Sequence, residues 1–210
     1  MLFRKWPWIC NLNEYKQQET ILNSNKQNPI LIESLNQLIE ILKQSNRFDF
    51  SKIMKNLDLS KELFEYYCSW SNDCYTRNCI VDNESFELIL LCWEANQATP
   101  IHDHSGQECW VKVIQGEFKE TIYKFNKPGD IQTLKSTVSK KGDLSYMIDF
   151  MGFHRLENIS KTRSMSLHLY AKPIRNCQLF DEDSGELVRK KLVYNTCHEF
   201  EVEVKSKNNN

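Results

Sequence analysis

The sequence lacks an excess of charge of either sign. Its 27 lysines and arginines are matched by 28 aspartates and glutamates, which leaves a formal net charge of −1 at pH 7. Proteins that bind nucleic acids usually carry a basic surface that neutralises phosphates. The charge balance therefore argues against a nucleic-acid partner.

Long apolar runs are also missing. The longest stretch, residues 88–93, is far shorter than the roughly 18 apolar residues of a membrane-spanning helix. Residues 1–8 contain the charged pair Arg4 and Lys5, which interrupts any apolar segment of the kind found in signal peptides. We therefore expect a soluble protein of the cytoplasm, without a membrane partner.

The eight cysteines include no C-x-x-C pair. This spacing disfavours zinc fingers and thioredoxin-type redox motifs. In a reducing cytoplasm the thiols stay free, and most are expected to pack as small buried hydrophobes.

Helical patterns are confined to the first third of the chain. Residues 29–45 carry apolar side chains at helical spacing, and residues 58–70 form a second candidate helix that Asp58 or Ser60 could cap. Residues 48–55 are predicted to be a short helix or irregular. We expect this helical cap to occupy about residues 1–72.

After Cys74 the pattern changes to short runs rich in β-branched and aromatic residues, separated by turn signals. Many short strands at regular spacing indicate a sandwich or a barrel. We predict one mainly β domain over residues 1–204, with an antiparallel β-barrel at about 73–204 and a disordered tail at 205–210. The candidate strands are 86–93, 108–114, 118–124, 145–149, 164–170 and 187–196.

Four of the five histidines fall in the predicted β region. Side chains two residues apart in a strand project from the same face, so His102 and His104 can direct two imidazoles at one point. Such a pair is weak support for a metal site by itself. The pattern that follows is more specific: Cys109, Gly116 and, much later, Gly152 and His154.

This pattern resembles the two signature motifs of the cupin superfamily, which implies a jelly-roll-like β-barrel that binds a metal in its interior. Most cupins have a glutamate ligand where this sequence has Cys109. The expected ligands are therefore His102, His104 and His154. Three neutral imidazoles suit iron, zinc, copper and nickel alike, and they leave the full charge of the ion available to an anionic substrate.

Several separated motifs also resemble cysteine dioxygenase, a thiol dioxygenase family within the cupins: Cys92-Trp93, residues 101–104, residues 152–158 and residues 166–170. The resemblance extends over about residues 75–180. It implies a monomeric enzyme that uses one Fe(II) per chain to add both atoms of O₂ to the sulfur of L-cysteine. The product would be 3-sulfinoalanine, formed in the first step of cysteine breakdown toward taurine and sulfate.

The resemblance also implies roles for individual residues. Cys109 and Tyr170 would form a thioether crosslink, Arg77 with Tyr75 would bind the substrate carboxylate, and Cys177 would lie near the pocket mouth. Ser166, His168 and Tyr170 would form a hydrogen-bonded relay, and they share one face of the predicted strand 164–170. Leu192 stands where a methionine is expected near the pocket. The fifth histidine, His198, matches no motif and is expected to be structural or exposed.

Three alternatives remain open at the level of sequence. A related thiol dioxygenase would act on 3-mercaptopropionate or cysteamine, although Arg77 favours cysteine. A non-catalytic cupin would store or sense a metal or a small ligand. A zinc hydrolase is disfavoured, because no acidic residue is placed as a general base near His102 and His104.

Overall fold

The computed structural model describes residues 31–127 and 130–197, and its first long element is a helix. Helix α1 (Leu35–Gln44) begins where the Ser34 hydroxyl accepts a hydrogen bond from the backbone N–H of Gln37, which satisfies a donor that the helix leaves unpaired. Its buried side is formed by Leu35, Leu38, Ile39 and Leu42. The predicted amphipathic helix is confirmed, although residues 29 and 30 of its predicted range lie outside the described residues.

The next segment, residues 47–67, contains three short helical elements. A 3₁₀ turn (Arg47–Asp49) leads into helix α2 (Phe50–Lys55). The predicted α-helix at 58–70 is wrong in type, because a 3₁₀-helix spans Lys61–Tyr67 instead. The residues it buries, Phe64 and Tyr67, are three positions apart, and a 3₁₀-helix places such residues on one side.

The rest of the described chain is mainly β. A 3₁₀ turn (Asp149–Met151) separates two of its strands. In chain order, the strands are β1 (Thr76–Asp82), β2 (Glu87–Trp93), β3 (Ile101–His102), β4 (Cys109–Gln115), β5 (Glu117–Lys127), β6 (Asp130–Lys140), β7 (Leu144–Met147), β8 (Phe153–Asn158), β9 (Ser164–Tyr170), β10 (Asn176–Asp181), β11 (Glu186–Lys191) and β12 (Thr196–Cys197).

These strands form two six-stranded sheets, in the orders β12-β1-β2-β9-β4-β7 and β11-β10-β3-β8-β5-β6. The pairs are antiparallel except for β1 and β12, which are parallel. The prediction of a mainly β domain is confirmed. The barrel is not closed by hydrogen bonds, however, because each sheet ends in edge strands and the enclosure comes from packing of one sheet on the other.

Strands β2 and β9 lie side by side in the first sheet and divide the interior in two. Their alternate residues Leu88, Leu90, Leu167 and Leu169 pack in one cluster with the helices. The intervening residues, including Ile89, Leu91, Trp93 and Tyr170, pack in a second cluster with Phe118 and Leu156 of the opposite sheet. The second cluster occupies the space between the sheets, where the metal site was expected.

The strand predictions succeed where apolar alternation is strong. Strand β9 matches its predicted range, and β2 and β4 match theirs within a residue or two. The predicted strand 187–196 is wrong as a single element, since residues 192–195 separate β11 from β12. Strands β1, β3, β6, β8 and β10 were not predicted, because they are short or carry many polar residues, as in the largely exposed β6.

Among the described residues, no helix is long and apolar enough to cross a membrane. Their seven cysteines are free. Cys10, His198, residues 1–30 of the predicted cap and the predicted tail at 205–210 lie outside the described residues.

Candidate active site

Three histidines converge between the two sheets. His102 at the end of β3 is the register partner of His154 in β8, and His104 lies two residues after β3. The Nε2 atom of His154 is 3.2 Å from Nε2 of His102 and 3.1 Å from Nε2 of His104. One ligand atom from each ring lies within 4.8 Å of the others, so the predicted metal ligands are brought together.

The outer nitrogens of two of these rings fix their tautomers. Nδ1 of His102 is 2.9 Å from the carbonyl of Pro100, and Nδ1 of His154 is 2.7 Å from the carboxylate of Glu120. Because both partners accept hydrogen bonds, each Nδ1 carries the proton and each Nε2 presents a lone pair. Burial and the neighbouring His154 lower the pKa of His102 to about 3, so the ring is neutral.

In these tautomers the Nε2 lone pairs of His102 and His154 face each other at 3.2 Å and form no hydrogen bond. A cation bound between the two nitrogens would stabilise this arrangement. The donor set of three imidazoles suits a transition metal. The Glu120–His154 contact has the form of the carboxylate–histidine pairs that orient metal ligands. The residues present therefore fit a divalent metal ion.

The loop after β3 is fixed by two aspartates. Asp149 accepts from the backbone N–H of His104 at 2.7 Å and from that of Gly106. Asp103 accepts from the N–H of Gln178 at 2.7 Å and so points away from the cluster. These contacts fix the backbone on either side of His104, whereas the Nδ1 atom of its ring has no hydrogen-bond partner.

Gly152 shapes the approach to His154. Its φ of +118° is rare for residues with a side chain, and an added Cβ would lie 2.2 Å from the backbone oxygen of Tyr123. Only glycine fits this close approach. The glycine of the predicted motif thus allows β8 to start against β5 and directs His154 inward.

The strand row that contains Ser166 and His168 is buried rather than solvated. The Ser166 hydroxyl lies 2.8 Å from Nε2 of His168 and accepts from the indole N–H of Trp93 at 3.0 Å. Burial, Arg77 and the other histidines hold the pKa of His168 well below its usual value. Its Nδ1 atom faces Sγ of Cys109 at 3.9 Å, and its ring lies nearly parallel to that of Tyr170, with centroids 6.3 Å apart.

Cys109 and Tyr170 are register partners on the neighbouring strands β4 and β9. Both side chains are buried, with exposed fractions of 0% and 3%. Burial is the main cause that raises the pKa of both the thiol and the phenol, and each group also perturbs the other. The ring of Tyr170 packs edge-on against His104 at 5.8 Å, so the predicted crosslink pair lies beside the histidine cluster.

A cavity of about 580 Å³ connects this site to the surface. It is lined by the predicted residues Tyr75, Arg77, His102, Tyr170, Cys177 and Leu192, among others. The Tyr75 ring stacks on Trp93 at a centroid distance of 4.6 Å. Cys177 is 1% exposed, and burial raises the pKa of its thiol to about 11.

Arg77 is the buried cation of this cavity, with 9% of its surface exposed. Its Nε and Nη2 atoms are buried and have no hydrogen-bond partner. Burial opposes the charge, but Tyr170, Glu87 and Tyr75 outweigh it and raise the pKa of the guanidinium. A charged, planar guanidinium with unpaired donors has the chemistry that suits a carboxylate.

Comparison with known proteins identifies the family. The model of the family "Cysteine dioxygenase type I" matches residues 20–183. The chain is 33% identical to human cysteine dioxygenase type 1 over 162 residues, covering 72% of this chain and 81% of that protein. It is 30% identical to the zebrafish (Danio rerio) protein of that name over 164 residues, covering 73% and 82%.

The chain belongs to the cysteine dioxygenase type I family. Membership makes it an oxygenase. The matched segment contains the predicted metal ligands, Arg77 and Tyr170, whereas Leu192 lies beyond it.

Solved structures resemble this cysteine dioxygenase family member more distantly. A double-stranded β-helix protein of Klebsiella pneumoniae is 18% identical, with a TM-score of 0.42 and coverage of 51% of this chain and 84% of that chain. An RmlC-like cupin of Desulfovibrio desulfuricans is 20% identical, with a TM-score of 0.43 and coverage of 55% and 97%.

The structure adds supporting residues that the sequence analysis did not assign to this cysteine dioxygenase family site. They are Trp93 behind Ser166, Glu120 behind His154, Glu87 behind Arg77, and Asn195, which exchanges two 2.8 Å hydrogen bonds with the Arg77 backbone. The local sequence does not distinguish a buried charged residue in a strand from an exposed one, so sequence analysis could not find Glu120 and Glu87. Glu120 contacts the outer nitrogen of His154, so it supplies no base on the inner side of the three histidines.

Proposed function

We propose that this chain is an Fe(II)-dependent cysteine dioxygenase that converts L-cysteine and O₂ to 3-sulfinoalanine, the first step of cysteine breakdown toward taurine and sulfate. One observation carries the proposal: the guanidinium of Arg77 lines the same cavity as His102, which belongs to the group of three converging histidines. A substrate with a thiol at one end and a carboxylate at the other matches this pairing.

The metal would be held by His102, His104 and His154. A bound Fe(II) would supply a site that deprotonates the thiol and brings O₂ beside it. The proposal of iron over other metals rests on the family and on the imidazole ligands, which accept several metals.

Arg77 binds and orients the substrate. Its Nε and Nη2 donors would hold the carboxylate in a bidentate contact, which fixes both the position and the direction of the substrate. Tyr75 lines the same cavity and stacks on Trp93, so it is well placed as a second polar contact to the carboxylate. Cys177 would contact the substrate or its entry path from the cavity wall.

Tyr170 would supply a hydroxyl to the reacting end of the substrate. Burial keeps this phenol protonated, so it can donate a hydrogen bond. Ser166 and His168 support it from the same strand, with Trp93 fixing the Ser166 oxygen. A hydroxyl that is held in place before the substrate binds would stabilise developing charge effectively.

Cys109 would form a thioether between its sulfur and the ring of Tyr170. The bond replaces one S–H and one ring C–H, and O₂ accepts the two hydrogens and their electrons. The pairing of the two residues across β4 and β9 supports this proposal. Such a bond would hold the phenol rigidly beside the metal site.

We also propose that residues 1–204 form one domain that acts as a monomer in the cytoplasm. All seven described cysteines are free thiols, as expected for a protein in a reducing compartment. Size-exclusion chromatography with light scattering tests the monomer.

The decisive experiment loads the purified protein with Fe(II) without oxygen and then measures O₂ uptake with L-cysteine, 3-mercaptopropionate and cysteamine. The proposal expects the highest kcat/KM with L-cysteine and one O₂ consumed per sulfinate formed, identified by mass spectrometry. His154→Ala serves as the metal-site control. A preference for another thiol would assign the chain to a related thiol dioxygenase, and an iron-loaded protein that consumes no O₂ with any thiol would indicate a non-catalytic cupin.

A further inference from the structure

Cys79 and Cys197 form a pair of thiols at one edge of the first sheet. They are register partners on the parallel strands β1 and β12, and the side chains of directly paired residues lie on the same face of a sheet. Neighbouring strands are about 4.8 Å apart, which falls within the Cα separation of about 4.4–6.8 Å that a disulfide bridges. The two backbones therefore already lie at a distance that a disulfide accommodates.

The two thiols differ in their access to solvent. Cys79 is 1% exposed, whereas Cys197 is exposed. Burial and the neighbouring thiol of Cys197 raise the pKa of Cys79, so Cys79 is protonated at neutral pH. An external reagent therefore reaches Cys197 first, and Cys79 is the buried partner beside it.

Both cysteines line a second cavity, of about 320 Å³. Its other lining residues are Ile39 and Lys43 of α1 and residues 80–83. None of the described residues that line it also lines the cavity that contains Arg77. Its volume lies within the range of about 300–1,000 Å³ that is usual for small-molecule sites, so a small organic reagent can approach the thiol pair.

The segment that precedes Cys197 forms part of the wall of the active-site cavity. Leu192 and Asn195 line that cavity, and Asn195 exchanges two 2.8 Å hydrogen bonds with the backbone of Arg77. Arg77 and Cys79 are two residues apart in β1. A bond between Cys79 and Cys197 would therefore join the end of this wall covalently to the strand that carries Arg77.

We propose that Cys79 and Cys197 are a redox modification site, at which a small-molecule disulfide such as L-cystine converts the two thiols to a reversible intramolecular disulfide. L-Cystine is the oxidised form of L-cysteine, so the pair would respond to the oxidation state of the proposed substrate. The chemistry of the pair itself does not depend on the proposed function.

The reaction is two successive thiol–disulfide exchanges. The thiolate of Cys197 attacks one sulfur of L-cystine, releases one L-cysteine and leaves a mixed disulfide. Cys79 then loses its proton to solvent, attacks the sulfur of Cys197 and releases the second L-cysteine. Two protein thiols are thereby oxidised to one disulfide, and one L-cystine is reduced to two molecules of L-cysteine.

The test treats reduced, iron-loaded protein with L-cystine in the absence of oxygen and maps its peptides without reductant. In the wild type we expect the peptide that contains Cys79 to be joined to the peptide that contains Cys197, in protein that keeps the mass of a single chain. Dithiothreitol should separate the two peptides. The proposed thioether between Cys109 and Tyr170 does not interfere, because dithiothreitol leaves a thioether intact.

Three variants assign the two steps. Cys79→Ser should stop at the mixed disulfide and carry one added L-cysteine on Cys197. Cys197→Ser should leave Cys79 as a free thiol, because Cys79 is buried. Cys74→Ser removes another exposed cysteine and should still form the disulfide of the wild type. Thermal unfolding checks that each variant is folded, and the mapping of the wild type stands without them.

The proposal is overturned by a wild type that yields no such joined peptides, or one in which Cys197 keeps a mixed disulfide while Cys79 stays free. A disulfide between other cysteines, such as Cys68 and Cys92, in place of this one would also overturn it. A protein that forms the disulfide but consumes no O₂ with any thiol would refute the proposed function alone. A protein that oxidises L-cysteine but forms no disulfide would refute this proposal alone.

Discussion

Arg77 offers the sharpest test of the proposed substrate contact. Replacing it by alanine removes both buried donors and the positive charge that faces Glu87. Loss of one partner of a buried, hydrogen-bonded charge pair costs about 2–5 kcal/mol of binding. Because each 1.36 kcal/mol is a factor of ten in rate, kcat/KM for L-cysteine should fall by roughly 30-fold to several thousand-fold.

A second cost of Arg77→Ala falls on the fold. Glu87 has no exposed surface, and leaving it unpaired costs about 3–5 kcal/mol of stability, which is large beside the roughly 5–15 kcal/mol that holds a domain together. The double variant Arg77→Gln/Glu87→Gln removes both charges and should recover most of this loss, as measured by urea unfolding. The loss of carboxylate binding should persist in the double variant.

The assay compares L-cysteine with cysteamine, which lacks the carboxylate. Losses of folding or of metal affect the two thiols equally, so the ratio of their kcat/KM values isolates the contact with Arg77. We expect this ratio to drop by the factor calculated above, with little change for cysteamine. An equal fall for both thiols would refute the assignment of Arg77 to the carboxylate.

Three other results are expected. The intact mass of active protein should be two hydrogens below that of the unmodified chain, and Cys109→Ser should show no such loss; a full mass in the active wild type excludes the thioether. A divalent metal at about 100 times its Kd should add about 2.7 kcal/mol of stability and raise Tm by several degrees. A chelator or the variant His154→Ala should abolish the rise in Tm. Equal rises in the wild type and the variant would place the metal elsewhere. The metal-free protein should lose stability as the pH falls below about 6.5, because the unfolded chain then binds more protons than the folded one. The loss should reach up to about 1.4 kcal/mol per pH unit for each buried histidine of lowered pKa. Urea unfolding from pH 7 to 5 should show the decline, and a flat profile would contradict it. The histidines with lowered pKa are His102, His104 and His168.

The sequence was most informative where one strand carries its own pattern. The strict alternation of residues 164–170 predicted both the bounds of β9 and the shared face of Ser166 and His168, because side-chain direction in a strand follows from position alone. It was least informative for β3 and β8, which hold two of the metal ligands. Strand β3 is only two residues long, so periodicity cannot reveal it.

The sequence alone determined the residue types of the site: a histidine pair, a later histidine after a glycine, a cysteine and tyrosine, and an arginine. The tertiary structure decided which of these meet and what stands behind them. Register brings His154 to His102 and Tyr170 to Cys109, and it places Glu120 behind His154 and Glu87 behind Arg77. These contacts depend on pairing between strands that are far apart in the chain. The local sequence around a buried carboxylate does not differ from that around an exposed one, so only the strand pairing reveals which carboxylates are buried.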